Sequence, residues 1–213
     1  MADGQIALAE QFDDVEQQKE AATLGMWTFL ATEVLFFGGL FMSYIVYRTF
    51  YAQAFREAGH HTIVLYGTVN TAILLTSSLT AALAVHSAQE NRIRWLFRYL
   101  LLTVFLGCCF LGVKAVEYYQ DVNEQLVPGR HFRSGLPAQG QIFWFLYWAM
   151  TGLHGLHVLI GVGLLSVIAF MAWRRKFSDL YYNPVEVSAL YWHFVDIVWI
   201  FLYPLFYLID RYQ

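Results

Sequence analysis

An all-α fold, a polytopic membrane bundle with five transmembrane helices, is predicted by three features of this 213-residue chain. Its composition is 58% hydrophobic and only 14% charged, with a mean hydropathy of +0.46, too apolar for an ordinary water-soluble domain. Five apolar stretches are each long enough to cross a bilayer, which takes about 20 helical residues. Aromatic and basic residues bracket them as interfacial anchors do, for example Trp144, Tyr147 and Trp148 at one end of the fourth and Trp173 with Arg174, Arg175 and Lys176 at the other.

The first 23 residues carry Asp3, Glu10, Asp13, Asp14, Glu16 and Glu20 against the single Lys19. That is the reverse of a signal peptide's basic start, and the segment reads as an acidic cytoplasmic tail. The transmembrane domain fills residues 24–213, with spans at about 24–47, 64–86, 95–118, 142–173 and 187–209. The fourth exceeds what a bilayer requires and should tilt or project. The fifth opens on "NPVE", in which Asn183 suits a cap, Pro184 the first helical position and Glu186 the first turn. The longest connection, 119–141, is rich in Gly and Pro and reads as an external loop.

An odd number of spans puts the termini on opposite sides. Lys19, Arg92, Arg94, Arg98, Arg174, Arg175 and Lys176 then fall on the N-terminal side, and Arg48, Arg56, Arg130, Arg133 and Arg211 on the other. This excess of seven over five favours a cytoplasmic N-terminus by the positive-inside rule. With a net charge of -3 and no longer basic run, nucleic acid is excluded as a partner class. Cys108 and Cys109 lie in an apolar run and read as small hydrophobes.

Small residues recur every fourth position at Thr68, Ala72, Thr76, Thr80 and Ala84, and in the pairs Gly39 with Ser43 and Thr151 with Gly155. Such spacing predicts close helix approach in lipid, as any packed bundle needs. More telling are the ionisable residues at membrane depth: Glu33, Lys114, Glu117, His154, His157, His193 and Asp196. Each costs at least ~2.5 kcal/mol to insert and must face protein or water. Glu33 sits about 14 Å along the first span, a candidate proton-holding carboxyl or a hydrogen-bonding structural acid. Lys114 and Glu117, at i and i+3, predict an intrahelical pair. His193 and Asp196 share that spacing, which sets a carboxylate beside an imidazole. His154 and His157 could present two imidazoles to one spot, with His193 and Glu33 as possible further ligands. No Cys-x-x-Cys-His or His-Glu-x-x-His motif accompanies them, so interhelical hydrogen bonding is the preferred reading over a metal site. Taken alone, these residues describe a membrane protein with a polar interior; an independent proton-coupled transporter is one reading, although neither inverted repeats nor broken half-helices accompany it.

Several stretches resemble the subunit III family of haem-copper respiratory oxidases: "LGMWTFLATEVLFFGGLFMSYIVYR", "NTAILLTSSLTAALAVHSAQENR", "LGVKAVEYY", "GLHGLHVLIG" and "YWHFVDIVWIFLYPLFYL". The first and last look closer to cytochrome c oxidase members than to quinol oxidase or nitric oxide reductase relatives. The resemblance implies the short five-helix bacterial form of an accessory subunit with no redox centre, no metal and no catalytic residue of its own. Haem and copper are then expected in partner subunits I and II, which receive electrons from cytochrome c or another donor. Phospholipids are expected between the helices, and support of proton uptake and oxygen access is the implied role, in the bacterial plasma membrane. By the same resemblance Glu33 and Glu117 match the family's two buried carboxylates. Lys114, His154, His157, His193 and Asp196 are structural, lipid-contacting or subunit-contacting candidates. Longer members have two further helices enclosing a lipid-filled cleft, which this chain lacks.

Overall fold

A computed structural model describes residues 11–129, 132, 137–175, 177 and 182–209. Residues 1–10 of the acidic tail, together with Arg130, Arg133, Lys176 and Arg211 of the basic tally, lie outside the described residues. Helix α1 runs Val15–Phe50, α2 Ala52–Gly59, α3 Val64–Gln89, α4 Ile93–Asn123, α5 Gly140–Trp173 and α6 Asn183–Tyr203, closing in a π-helical turn at Pro204–Leu208. Five of these helices are long and apolar enough to cross a membrane, α6 counting together with its π turn. The chain is an all-α, multi-pass membrane bundle.

Helix α1 begins nine residues before the predicted span, inside the stretch assigned to the tail. The cause is local chemistry: Asp14 accepts a 2.7 Å bond from the Gln17 amide, and Gln17 Oε1 accepts one of 2.8 Å from the Asp13 amide. This is a variant of the reciprocal capping box. At 36 residues, or about 54 Å, α1 extends beyond the hydrocarbon on the N-terminal side. Only Leu30, Phe37 and Tyr44 are buried along it, one every seventh position. That is a narrow seam of coiled-coil type, and much of the rest of α1 is open to lipid or to a partner.

Helix α2 was not foreseen. It is a short amphipathic piece whose Phe55 and Ala58 are buried, Phe55 meeting Phe143 of α5 edge-on at 5.6 Å. The α6 start also differs from expectation. Asn183 is the first helical residue, the cap position falls on Tyr182, and no side chain bonds the end; Pro184 and Glu186 do lie in the first turn. Within the last predicted span, Pro204 lacks the amide that an α-helix needs. The turn widens, with the Ile209 amide bonding Pro204 O at 3.0 Å.

Helix contacts depend on glycines other than those singled out from sequence. Thr68, Ala72 and Thr76 are exposed, whereas the inner face of α3 carries Gly67, Asn70, Leu74, Ser77, Ala81 and Ala84. A Cβ on Gly39 or Gly155 would meet nothing within 4 Å. On Gly107 it would lie 2.7 Å from the Trp192 ring and from Val162, and on Gly161 2.8 Å from Trp192. Trp192, fully buried, thus occupies the space left by two absent side chains, and its indole nitrogen donates to Ser77 Oγ at 3.1 Å. Trp199 similarly donates to Thr71 Oγ1 at 3.1 Å, so two indoles join α6 to α3.

Gly161→Ala should therefore overpack the Trp192 site and destabilise the bundle by about 1–3 kcal/mol. On the same helix Gly163→Ala, which meets nothing within 4 Å, should be neutral or slightly stabilising. Thermal unfolding of the two variants in mild detergent measures the difference, and equal melting temperatures would refute the packing account.

Candidate functional site

On α4, Lys114, Glu117 and Asp121 recur at i, i+3 and i+7 and so share one face. All three are buried, at 4%, 1% and 5% exposure. The ammonium of Lys114 donates to Glu117 Oε2 at 3.0 Å, Tyr147 Oη at 2.9 Å and Tyr207 Oη at 2.8 Å, which uses all three of its donors. Tyr207 donates to Glu117 Oε1 at 2.7 Å. Tyr147 lies 2.9 Å from that oxygen and 3.2 Å from Asp121 Oδ2, and with one proton it serves one of them at a time. The rings of Tyr118, Tyr147, Trp199 and Tyr207 surround the ammonium with centroids 4.6 to 5.6 Å away, an aromatic cage of the cation–π kind.

Of these residues the sequence reading singled out only Lys114 and Glu117. Asp121 was legible as the next member of the same helical face, but it falls beyond the predicted span end at 118, because α4 continues to Asn123. Tyr147 reads as an interfacial anchor and Tyr207 lies inside the fifth predicted span; nothing local marks either as a partner of the lysine.

The two histidines of "GLHGLH" diverge. His154, 1% exposed, places Nε2 3.1 Å from Val195 O of α6. A carbonyl only accepts, so Nε2 carries the proton. Its ring packs edge-on to Phe110 at 5.4 Å and beside Trp199 at 5.1 Å. His157 sets Nδ1 2.8 Å from Leu153 O, one turn earlier on its own helix, and Nε2 3.2 Å from Glu33 Oε2 of α1. The contact links α1 to α5. Its alignment is that of an ion pair rather than a straight hydrogen bond.

The expected pairing of His193 with Asp196 is not formed. His193 Nδ1 instead faces Ser78 Oγ of α3 at 2.8 Å. Asp196, 3% exposed, lies near the same serine, but neither of its oxygens completes a hydrogen bond among the described residues. Hence Glu33 meets one of the histidines while His154 and His193 turn elsewhere. Among the described residues no group of three or more His, Cys, Asp or Glu is placed to hold a metal. What the arrangement does chemically is to neutralise and join. Three helices meet at Lys114, and a fourth is tied on through Glu33.

The model of the cytochrome c oxidase subunit III family matches residues 11–210. This chain belongs to that family. It is 33% identical to cytochrome c oxidase subunit 3 of Corynebacterium diphtheriae over 190 residues, covering 88% of each chain. Quinol oxidase subunit 3 of Bacillus subtilis is 29% identical over 199 residues, with 91% of each covered. Cytochrome c oxidase subunit 3 of Homo sapiens is 32% identical over 187 residues, which are 84% of this chain but 66% of the human one. The chain is thus a subunit III of a haem-copper oxidase, a member of a respiratory complex with partner subunits.

Lys114→Met would leave Glu117 and Asp121 buried together without their cation. Breaking a buried pair from one side costs about 3–5 kcal/mol, so this variant should unfold far more readily in detergent. Adding Glu117→Gln should recover part of the loss. A double-mutant cycle on thermal stability checks this, and additive losses would show that the two side chains are not coupled.

Proposed function

We propose that this chain is the accessory subunit III of a proton-pumping cytochrome c oxidase. It carries no redox centre, and haem and copper reside in subunits I and II. It stabilises subunit I, retains phospholipid, and supports proton uptake and oxygen access. The observation that carries the reading is the family match over residues 11–210, together with a polar interior whose lysine already has all three donors used by its own chain. A cation so engaged is poorly suited to carry a transported ion, which weighs against an independent transporter. The Bacillus subtilis relative favours a second reading, the corresponding subunit of a quinol oxidase; the donor oxidised by the purified complex separates the two.

An affinity tag on this chain should retrieve haem-bearing subunits, seen as haem bands in a reduced-minus-oxidised spectrum, and retrieval without haem would overturn the reading. In the complex so isolated, Glu33→Gln should leave the initial rate of oxygen reduction largely intact and shorten activity over repeated turnovers. A collapsed initial rate with full assembly would instead put Glu33 in the chemistry itself.

Orientation follows the basic asymmetry: N-terminus cytoplasmic, C-terminus outside, in the bacterial plasma membrane. Cysteine placed at Glu124, on the loop after α4, should react with a membrane-impermeant maleimide on intact cells, while cysteine at Glu20 should not. The opposite pattern reverses the topology.

A further inference from the structure

We propose that the groove between α1 and α6 binds a flat, uncharged ring that carries oxygen atoms and an apolar tail, the chemistry of a membrane quinone and its quinol. The groove consists of two cavities of about 480 and 590 Å³ that share Trp27, Leu190 and His193. The inference goes beyond the function proposed above, holds for either electron donor, and involves neither Glu33 nor the lysine-centred network.

His193 is the polar feature of the deeper cavity, whose other lining residues are apolar or, in Trp27, aromatic. Its Nδ1 faces Ser78 Oγ at 2.8 Å, which holds the ring in place. Its Nε2 has no partner among the described residues and stays accessible, on a side chain that lines both cavities. A hydrocarbon chain lying there would leave that nitrogen unsatisfied, which is costly where no water replaces the bond.

What lies behind the imidazole narrows the ligand further. Ser78 also has Asp196 beside it, a side chain 3% exposed whose two oxygens complete no hydrogen bond among the described residues. A hydroxyl donates to one neighbour while accepting from another, so this row of three groups can run in either direction. With Ser78 donating to Nδ1, His193 presents Nε2–H, a donor for a carbonyl. With Nδ1–H donating to Ser78 and Ser78 donating to Asp196, the same Nε2 is a bare acceptor for a hydroxyl. These are two neutral tautomers of the imidazole, and no net proton separates them. A quinone and its quinol exchange carbonyls for hydroxyls, so this site can hold both.

Charge and depth argue against a phospholipid headgroup at this place. The charged side chain among the described residues that line the groove is Glu186, an acid, so an anion finds no cation there. His193 lies about 9 Å of helical rise inside the predicted start of the fifth span at 187, deeper than phosphate and glycerol reach. A flat ring at that depth has Trp27 and Phe194 to pack against, and its tail has the apolar wall at Val34 and Leu35. Thr23, one turn before Trp27 on α1, edges the shallower cavity and offers a hydroxyl to a second ring oxygen.

The test uses the purified full chain in neutral detergent and an azido derivative of decylubiquinone, photolysed and located by peptide mass spectrometry. The label should fall on the α1 and α6 residues of the groove. Decylubiquinone and its quinol should each displace it, and the same concentration of phosphatidylcholine should not. His193→Leu should weaken both displacements by about tenfold, the effect of one hydrogen bond. Ala31→Trp, which fills the groove without altering its polar groups, should abolish the specific label, whereas Leu156→Trp, on an exposed part of α5, should leave it unchanged. Circular dichroism checks that each variant is folded, and Ala31→Trp decides the matter where His193→Leu does not fold. Label spread over the lipid-facing surface, displacement by phosphatidylcholine as effective as by quinone, displacement by one redox form alone, or labelling indifferent to the groove variants would each overturn the proposal.

Discussion

The ammonium of Lys114 must be satisfied without water, and much of the bundle is arranged around that requirement. A buried cation is tolerated only when paired and fully hydrogen-bonded. Here one acceptor comes from α4 itself, one from α5 and one from the turn that follows α6. Because each acceptor sits on a different element, meeting the lysine's demand also fixes how those elements are placed. Widening of the last turn at Pro204 belongs to the same solution, since the π turn carries Phe206 and Tyr207, both 1% exposed, on its inner face.

Away from the lysine the helices meet by a different principle. Lipid offers no hydrophobic drive for helix association, so close packing and interhelical hydrogen bonds must supply it. Trp192 set against Gly107 and Gly161, the Thr80–Thr103 bond of 2.8 Å between α3 and α4, and the indole bonds to Ser77 and Thr71 all serve this end. Each joins a large or polar group to a neighbour that is small or hydroxylated.

The five spans were legible because length and hydropathy are properties of single segments. Their ends were less so. The start of α1 was encoded in Asp14 and Gln17, a cap signature that looked like acidic tail, and the end of α4 was hidden by the polar run that continues its inner face through Asp121. The Lys114–Glu117 pair could be read from spacing, since both residues share a helix. Glu33 beside His157 could not, because the chain separates them by more than a hundred residues and each had other candidate partners. Counting small residues at every fourth position failed for a related reason. Spacing identifies a face, but not which way that face is turned, and most of the Thr68 stripe turned outward.

Helix α1 stands apart from this economy. Its seam of one buried residue every seventh position is too narrow to hold a 36-residue helix as firmly as α4 or α6 is held. Polar contacts supplement it, among them the Tyr44 hydroxyl donating to Leu205 O at 2.6 Å on one side of the membrane and the Glu33–His157 contact nearer the other. Both partners of the latter keep some exposure, with side chains 18% and 12% accessible, unlike the sealed groups around Lys114. That contact is therefore less enclosed than the lysine's, although Glu33 Oε2 itself is buried. Removing that contact would act on the most weakly attached span without disturbing the lysine-centred core, which is the arrangement expected if the outer helix adjusts to a partner and the inner ones do not.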